Sequence, residues 1–99
     1  MAQVIRGHRP GPVINHNLQR LLAFWRTVPE QAAEWPEWDE YSRADFVIEW
    51  PIMRETLIRV AKAAEAGRLN ERQQRDWQEL QQLIETHRAT VEWMLEGPI

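Results

Sequence analysis

The sequence predicts an all-α protein, a three- to four-helix bundle built on a long antiparallel helical hairpin. Apolar residues recur every three or four positions over two long segments, and no segment alternates apolar and polar residues as a strand does. The hairpin helices are expected at about 43–66, kinked at Pro51, and at 71–96, with matched lengths of ~36 and ~39 Å. A shorter N-terminal helix (about 15–27) and short helical turns at 28–41 complete the predicted fold.

The N-terminal part predicts an arm followed by a helix. Residues 1–12 include two glycines and two prolines, which favour an extended or mobile arm, and residues 13–97 form the single helical domain. Asn15 or Asn17 is expected to cap the first helix, and Pro29 is expected to end it. The apolar face of this helix is formed by Ile14, Leu18, Leu21, Leu22, Trp25 and Val28.

Residues 28–41 predict short helical pieces because they contain several helix-start signals close together. Thr27–Glu30 has the form of a capping box, and Pro36 suits the first turn of a second start. Ser42 offers a further N-cap signal. We therefore expect segments of one or two turns before the hairpin begins.

The two hairpin helices are predicted from apolar seams with a spacing of three and four. The first seam stays in phase across Pro51, which favours one kinked helix over two helices. Gly67 is expected to end this helix, and Asn70 to begin the next with Gln73 as its capping-box partner. The seams are Phe46, Trp50, Met53, Leu57, Val60 and Ala64, then Trp77, Leu80, Ile84, His87, Val91 and Met94.

Composition limits the class of protein and its partners. A chain of 99 residues with 43% hydrophobic and 27% charged residues is typical of one globular domain. It has no cysteine, no apolar segment of membrane-spanning length and no secretory signal, so we expect a cytoplasmic protein without a membrane partner. The net charge of −3 argues against a nucleic-acid partner.

The sequence contains no recognisable catalytic constellation. A His-Glu-x-x-His zinc motif, a Gly-rich phosphate loop and a Gly-x-Ser-x-Gly elbow are all missing. Glu85 and His87 are two residues apart, so they lie on different helical faces and do not form a metal-binding pair. We expect no catalytic activity, no cofactor and no metal site.

His87 is the one polar residue in an apolar seam. The antiparallel register places it opposite Trp50 and Pro51, and Pro51 leaves the carbonyl of Val47 without its helical donor. We expect a buried His87 whose ring N–H, directly or through water, satisfies that carbonyl. A pH switch is the functional alternative, and it requires a second titrating group.

Aromatic residues outside the seams are the candidates for partner binding. Trp35, Trp38 and Tyr41 are three residues apart beside Glu37 in an acidic stretch, and Trp93 lies off the seam of the last helix. One interpretation is an exposed anchor of the kind enriched at protein–protein hot spots. The other is that Trp35 and Trp38 form a lid over the open end of the hairpin.

Two functions follow from these patterns. The first is a protein–protein interaction module that self-associates, with a homodimer favoured, because one short N-terminal helix leaves apolar hairpin surface uncovered. Val47, Ile48 and Ile58 carry that surplus surface on one helix. The alternative is a regulator or inhibitor that presents the acidic 30–49 segment to a basic partner surface.

Overall fold

The computed structural model describes residues 10–96, which form three α-helices and one 3₁₀ turn. The helices are α1 (Pro10–Glu34), α2 (Glu40–Glu65) and α3 (Glu71–Glu96), and the turn is Trp35–Glu37. No residue in this range lies in a β-strand. The all-helical class and the packing of helices into a bundle are therefore confirmed.

The first helix is longer than predicted. It begins at Pro10, so residues 10–12 of the predicted arm belong to α1, and the rest of that arm lies outside the described residues. Pro29 does not end it, and Thr27 is not a cap: the Thr27 hydroxyl donates to the Phe24 carbonyl at 2.9 Å inside the helix. Val28, directly before the proline, and Trp35, beyond it, are both buried. This burial offsets the cost of roughly 3 kcal/mol that a proline imposes inside a helix.

The apolar face of α1 is the centre of the core, as its spacing predicts. All six of its seam residues are buried, and they pack with Val60 of α2 and with Leu80 and Val91 of α3. The contacts of α1 are chiefly with α3 and secondarily with α2, whereas α2 and α3 touch each other little. The two predicted hairpin helices therefore pack mainly against α1 and only slightly against each other.

Contacts along α1 give the directions of the helices. Gln19 and Arg26 of α1 bind Asp76 and Glu79 of α3 in the same order, so these helices run parallel. Phe24, late in α1, packs against the first half of α2, whereas Ile14 lies against Val60 and Ala63 near its end. Helix α2 therefore runs antiparallel to α1.

The turn between α2 and α3 follows the predicted capping chemistry. Gly67 has a φ of +71°, and the N–H groups of Gly67 and Arg68 donate to the carbonyls of Ala64 and Ala63. The Asn70 side chain accepts from the Gln73 N–H at 2.8 Å, and the Gln73 side chain accepts from the Asn70 N–H at 3.0 Å. Both local predictions are confirmed.

Helix α2 begins three residues before the predicted start. Asp39 is its N-cap and accepts from the Ser42 N–H at 2.7 Å, so Ser42 is a donor to the cap and not the cap itself. Of the short helical turns predicted at 28–41, the structure contains one, the 3₁₀ turn Trp35–Glu37, which includes Pro36. Residues 28–34 belong to α1. The helix continues through Pro51, and the kink there stays a prediction.

The described part of the chain is thin and elongated. It measures 54 × 27 × 17 Å with a radius of gyration of 15.9 Å. A compact domain of this size has a radius of gyration of about 12–13 Å. A thin arrangement of three helices leaves more helical surface uncovered than a compact bundle does.

Candidate interaction surface

The side of α2 that faces away from the core is largely apolar over the first half of the helix. We call it the outer face, and it consists of the exposed residues Tyr41, Ala44, Asp45, Ile48, Pro51, Ile52, Glu55, Arg59 and Lys62. Spacings of three and four residues place them on one stripe. Tyr41 is 84% exposed, Ile48 66% and Ile52 58%.

Helix α2 carries most of the large hydrophobic side chains that the described residues expose. Seven such side chains are exposed, and five of them are on α2. Besides the three on the outer face, Val47 and Ile58 flank it on one side. The opposite side of α2 packs into the core through Phe46 and Val60. Between Tyr41 and Ile52 the helix therefore has apolar side chains on its solvent side as well as on its core side.

A groove between α2 and α3 extends this apolar surface. Leu57, Ile58 and Ala61 line it from α2, and Trp77 and Ile84 line it from α3. Helix α1 contributes no residue to it. The groove is present because α2 and α3 make few direct contacts. The seam residues that line it are therefore only half-buried.

A second concavity lies between the start of α1 and the end of α2. Val13, Ile14 and Val60 provide apolar lining, and the basic residues that line it are Arg59, Lys62 and Arg68. The described lining alone defines no ligand.

Trp35 is a core residue, so it does not serve as an exposed anchor. It is 1% exposed and forms a small cluster with Phe46 and Met94, which joins the start of α2 to the end of α3. Trp38 is half-buried, and its ring lies 5.2 Å from that of Trp35. Trp35 therefore fits the interpretation as a lid, and Trp38 packs beside it and is partly exposed.

The remaining partner-binding candidates are exposed but do not form one surface with Trp35. Glu37 is exposed in the 3₁₀ turn, and Tyr41 lies on the outer face of α2. Trp93 is 45% exposed on α3. Of these candidates only Tyr41 belongs to the apolar stripe, and Ile48, which the sequence indicates as surplus apolar surface, is a second predicted member of it. The apolar spacing of Tyr41, Ala44, Ile48 and Ile52 was the signal for the rest.

His87 does not make the predicted contact. The residue is half-buried, and its ring has no hydrogen bond to Val47 or to any other described residue. A direct bond requires α2 and α3 to pack closely on each other near Pro51, whereas these helices make few direct contacts. The predicted direct hydrogen bond is therefore absent, and a bridge through water stays a prediction.

The acidic stretch is solvent-exposed, and its one basic residue is occupied. Arg43 donates to the backbone carbonyls of Trp35 and Pro36, at 2.9 and 2.8 Å for Nη2. Hydrogen bonds from the Ser42 backbone and hydroxyl lower the pKa of Asp39 below its ordinary value of 3.8. The exposed acids are Glu30, Glu34, Glu37, Asp39, Glu40, Asp45 and Glu49.

Within residues 10–96, no cluster of three or more histidine, aspartate or glutamate side chains is arranged to hold a metal ion. None of the described helices combines the length and hydropathy needed to cross a membrane. Comparison with protein-family models, curated proteins and solved structures gave no significant match. The candidate site is therefore identified only by the exposure and contacts of this chain's own residues.

Proposed function

We propose that this protein is a small helical protein–protein interaction module that self-associates as a homodimer and has no catalytic activity of its own. The observation that carries the proposal is the exposure of Tyr41, Ile48 and Ile52 on the outer face of a helix whose other side is core. Contiguous apolar surface of this kind, bordered by charged residues, is typical of protein–protein contact sites.

The architecture supports the proposal in a second way. The thin arrangement of three helices leaves α2 at one side of the bundle, with its outer face and the α2–α3 groove uncovered. A second copy of the chain brings an identical apolar stripe, so the outer faces of the two copies cover each other. In this proposal the α2–α3 hairpin is the scaffold, and the cysteine-free chain fits a reducing compartment such as the cytoplasm.

The solution mass of matched variants tests this function. We expect the wild-type protein at micromolar concentration to sediment at twice its chain mass of 11.8 kDa. Ile48→Glu places a charge within the proposed contact and is expected to give a folded monomer. Val13→Glu, an equally large change at an exposed residue of α1, is the control and keeps the dimer. A monomeric wild-type protein would exclude the proposal.

The acidic segment favours one alternative function, a regulator or inhibitor that binds a basic partner surface. Because Arg43 is held by two backbone carbonyls, the seven acids of residues 30–49 face solvent with little compensation. Binding of an arginine-rich peptide that weakens steeply with salt, and that Glu37→Lys reduces while Ile48→Glu does not, would favour this alternative.

A further inference from the structure

The charges of α2 are divided along the length of the helix. Residues 40–52 contain three acids and the occupied Arg43, for a net −2, and residues 53–65 contain three bases and two acids, for a net +1. Two such helices packed in parallel place like charges together, whereas antiparallel packing places acids opposite bases. Antiparallel packing also aligns the two helix dipoles favourably.

Accepting the self-association proposed above, we infer that two copies pair through the outer faces of α2 in an antiparallel, two-fold symmetric contact centred on Ile52. Asp45 and Arg59 each lie seven residues from Ile52, on opposite sides of it in the sequence. Seven residues are nearly two helical turns, so all three side chains lie on one stripe. The symmetry then pairs Asp45 of one copy with Arg59 of the other, twice.

The other residues of the stripe are compatible with this register. Ile48 falls opposite Thr56, whose hydroxyl already donates to the Ile52 carbonyl at 2.9 Å, so burial leaves no unpaired donor there. Glu40 lies within reach of Lys62 at each end of the contact.

Charge reversal tests the register because the contact is its own complement. Asp45 and Arg59 are exposed, and neither has a hydrogen bond or ion pair with another described residue, so reversal leaves the fold intact. Asp45→Arg alone and Arg59→Asp alone each place like charges together twice, and each is expected to raise the dimer dissociation constant by about tenfold or more. An equimolar mixture of the two variants is expected to restore the affinity as a heterodimer.

Controls separate this inference from the function on which it rests. Glu92→Arg and Arg75→Asp, reversals at exposed positions of α3, are expected to leave the dimer unchanged. Far-UV circular dichroism verifies that each variant is folded. If the wild-type protein is monomeric, the proposed function fails. If the wild type is a dimer that Ile48→Glu dissociates, but the mixture of Asp45→Arg and Arg59→Asp recovers no affinity, the function stands and the antiparallel register is overturned.

Discussion

The guanidinium group of Arg43 holds the backbone carbonyl of Trp35 through two nitrogens, with Nε at 3.1 Å and Nη2 at 2.9 Å from the oxygen. Nη2 also donates to the Pro36 carbonyl at 2.8 Å, and the guanidinium carbon lies 5.7 Å from the centre of the Trp35 ring. One side chain on the first turn of α2 thus fixes the 3₁₀ turn after α1. This contact ties the start of α2 to the turn that connects it to α1.

Removal of the Arg43 side chain is expected to destabilise the fold. Arg43→Ala leaves the partly buried carbonyl of Trp35 and the exposed carbonyl of Pro36 without a charged donor, at a cost of about 1–3 kcal/mol in the free energy of unfolding. Chemical denaturation at a fixed protein concentration measures the change. Arg54→Ala, an exposed arginine of the same helix, is the control and is expected to change stability by less than about 0.5 kcal/mol. Equal effects of the two changes would contradict the role of Arg43.

Three aromatic residues close in sequence are expected to differ in effect. Trp35→Ala opens a cavity beside Phe46 and is expected to cost about 3–5 kcal/mol of stability. Trp38→Ala, at a half-buried position, is expected to cost less. Tyr41→Ala is expected to leave the stability of the monomer within about 0.5 kcal/mol while weakening self-association. Thermal unfolding and sedimentation of each variant separate these effects, and a stable Trp35→Ala protein would contradict the assignment of Trp35 to the core.

The cap of α2 is expected to depend on pH. Because its folded pKa is lowered, chiefly by the hydrogen bond from the Ser42 backbone, ionised Asp39 stabilises the fold above its unfolded pKa. This contribution is lost as the pH falls below 3.8 through the lowered folded pKa. Asp39→Asn keeps a neutral cap, so the difference in melting temperature between wild type and variant is expected to shrink on acidification from pH 6 to pH 3. A difference independent of pH would contradict this account.

The turn before α3 is expected to require glycine for its backbone conformation. A Cβ at Gly67 would meet no atom within 4 Å, so the cost of Gly67→Ala comes from the positive φ of +71° and not from a clash. We expect a loss of about 1–2 kcal/mol in the free energy of unfolding. Gly67→Asn is expected to cost less, because asparagine tolerates this conformation better. Equal stability of Gly67→Ala and wild type would show that the turn adapts.

Features determined by a few neighbouring residues could be predicted from the sequence. The capping box of Asn70 and Gln73 and the glycine at position 67 depend on local geometry, and the structure contains both. The apolar seam of α1 was equally clear from its spacing. Local chemistry of this kind is independent of which helix packs against which.

The extent of α1 could not be predicted because local and tertiary effects oppose each other there. Pro29 removes a helical donor and locally favours a helix end. Burial of Val28 and of the distant cluster around Trp35 favours continuation, and that cluster includes Met94 from the far end of the chain. The sequence alone does not bring these residues together.

The candidate surface was predicted only in part for a similar reason. The apolar residues Val47, Ile48 and Ile58 were identified as surplus, but the sequence grouped Trp35 and Trp38 with Tyr41 as one possible anchor and left a lid as the other interpretation of the tryptophans. Only the helix packing distinguishes the buried Trp35 from the exposed Tyr41, six residues further on. The stripe from Tyr41 to Ile52 became evident once the core side of α2 was known.

Cross-linking at the centre of the outer face tests self-association through α2 most directly. The chain contains no cysteine, so Ile52→Cys introduces the only thiol, and a two-fold contact centred there brings two copies of it into disulfide range. Under mild oxidation we expect Ile52→Cys to form a covalent species of twice the 11.8 kDa chain mass that a reducing agent reverses, while Val13→Cys stays largely monomeric. A monomeric Ile52→Cys protein, or equal cross-linking of both variants, would contradict the account.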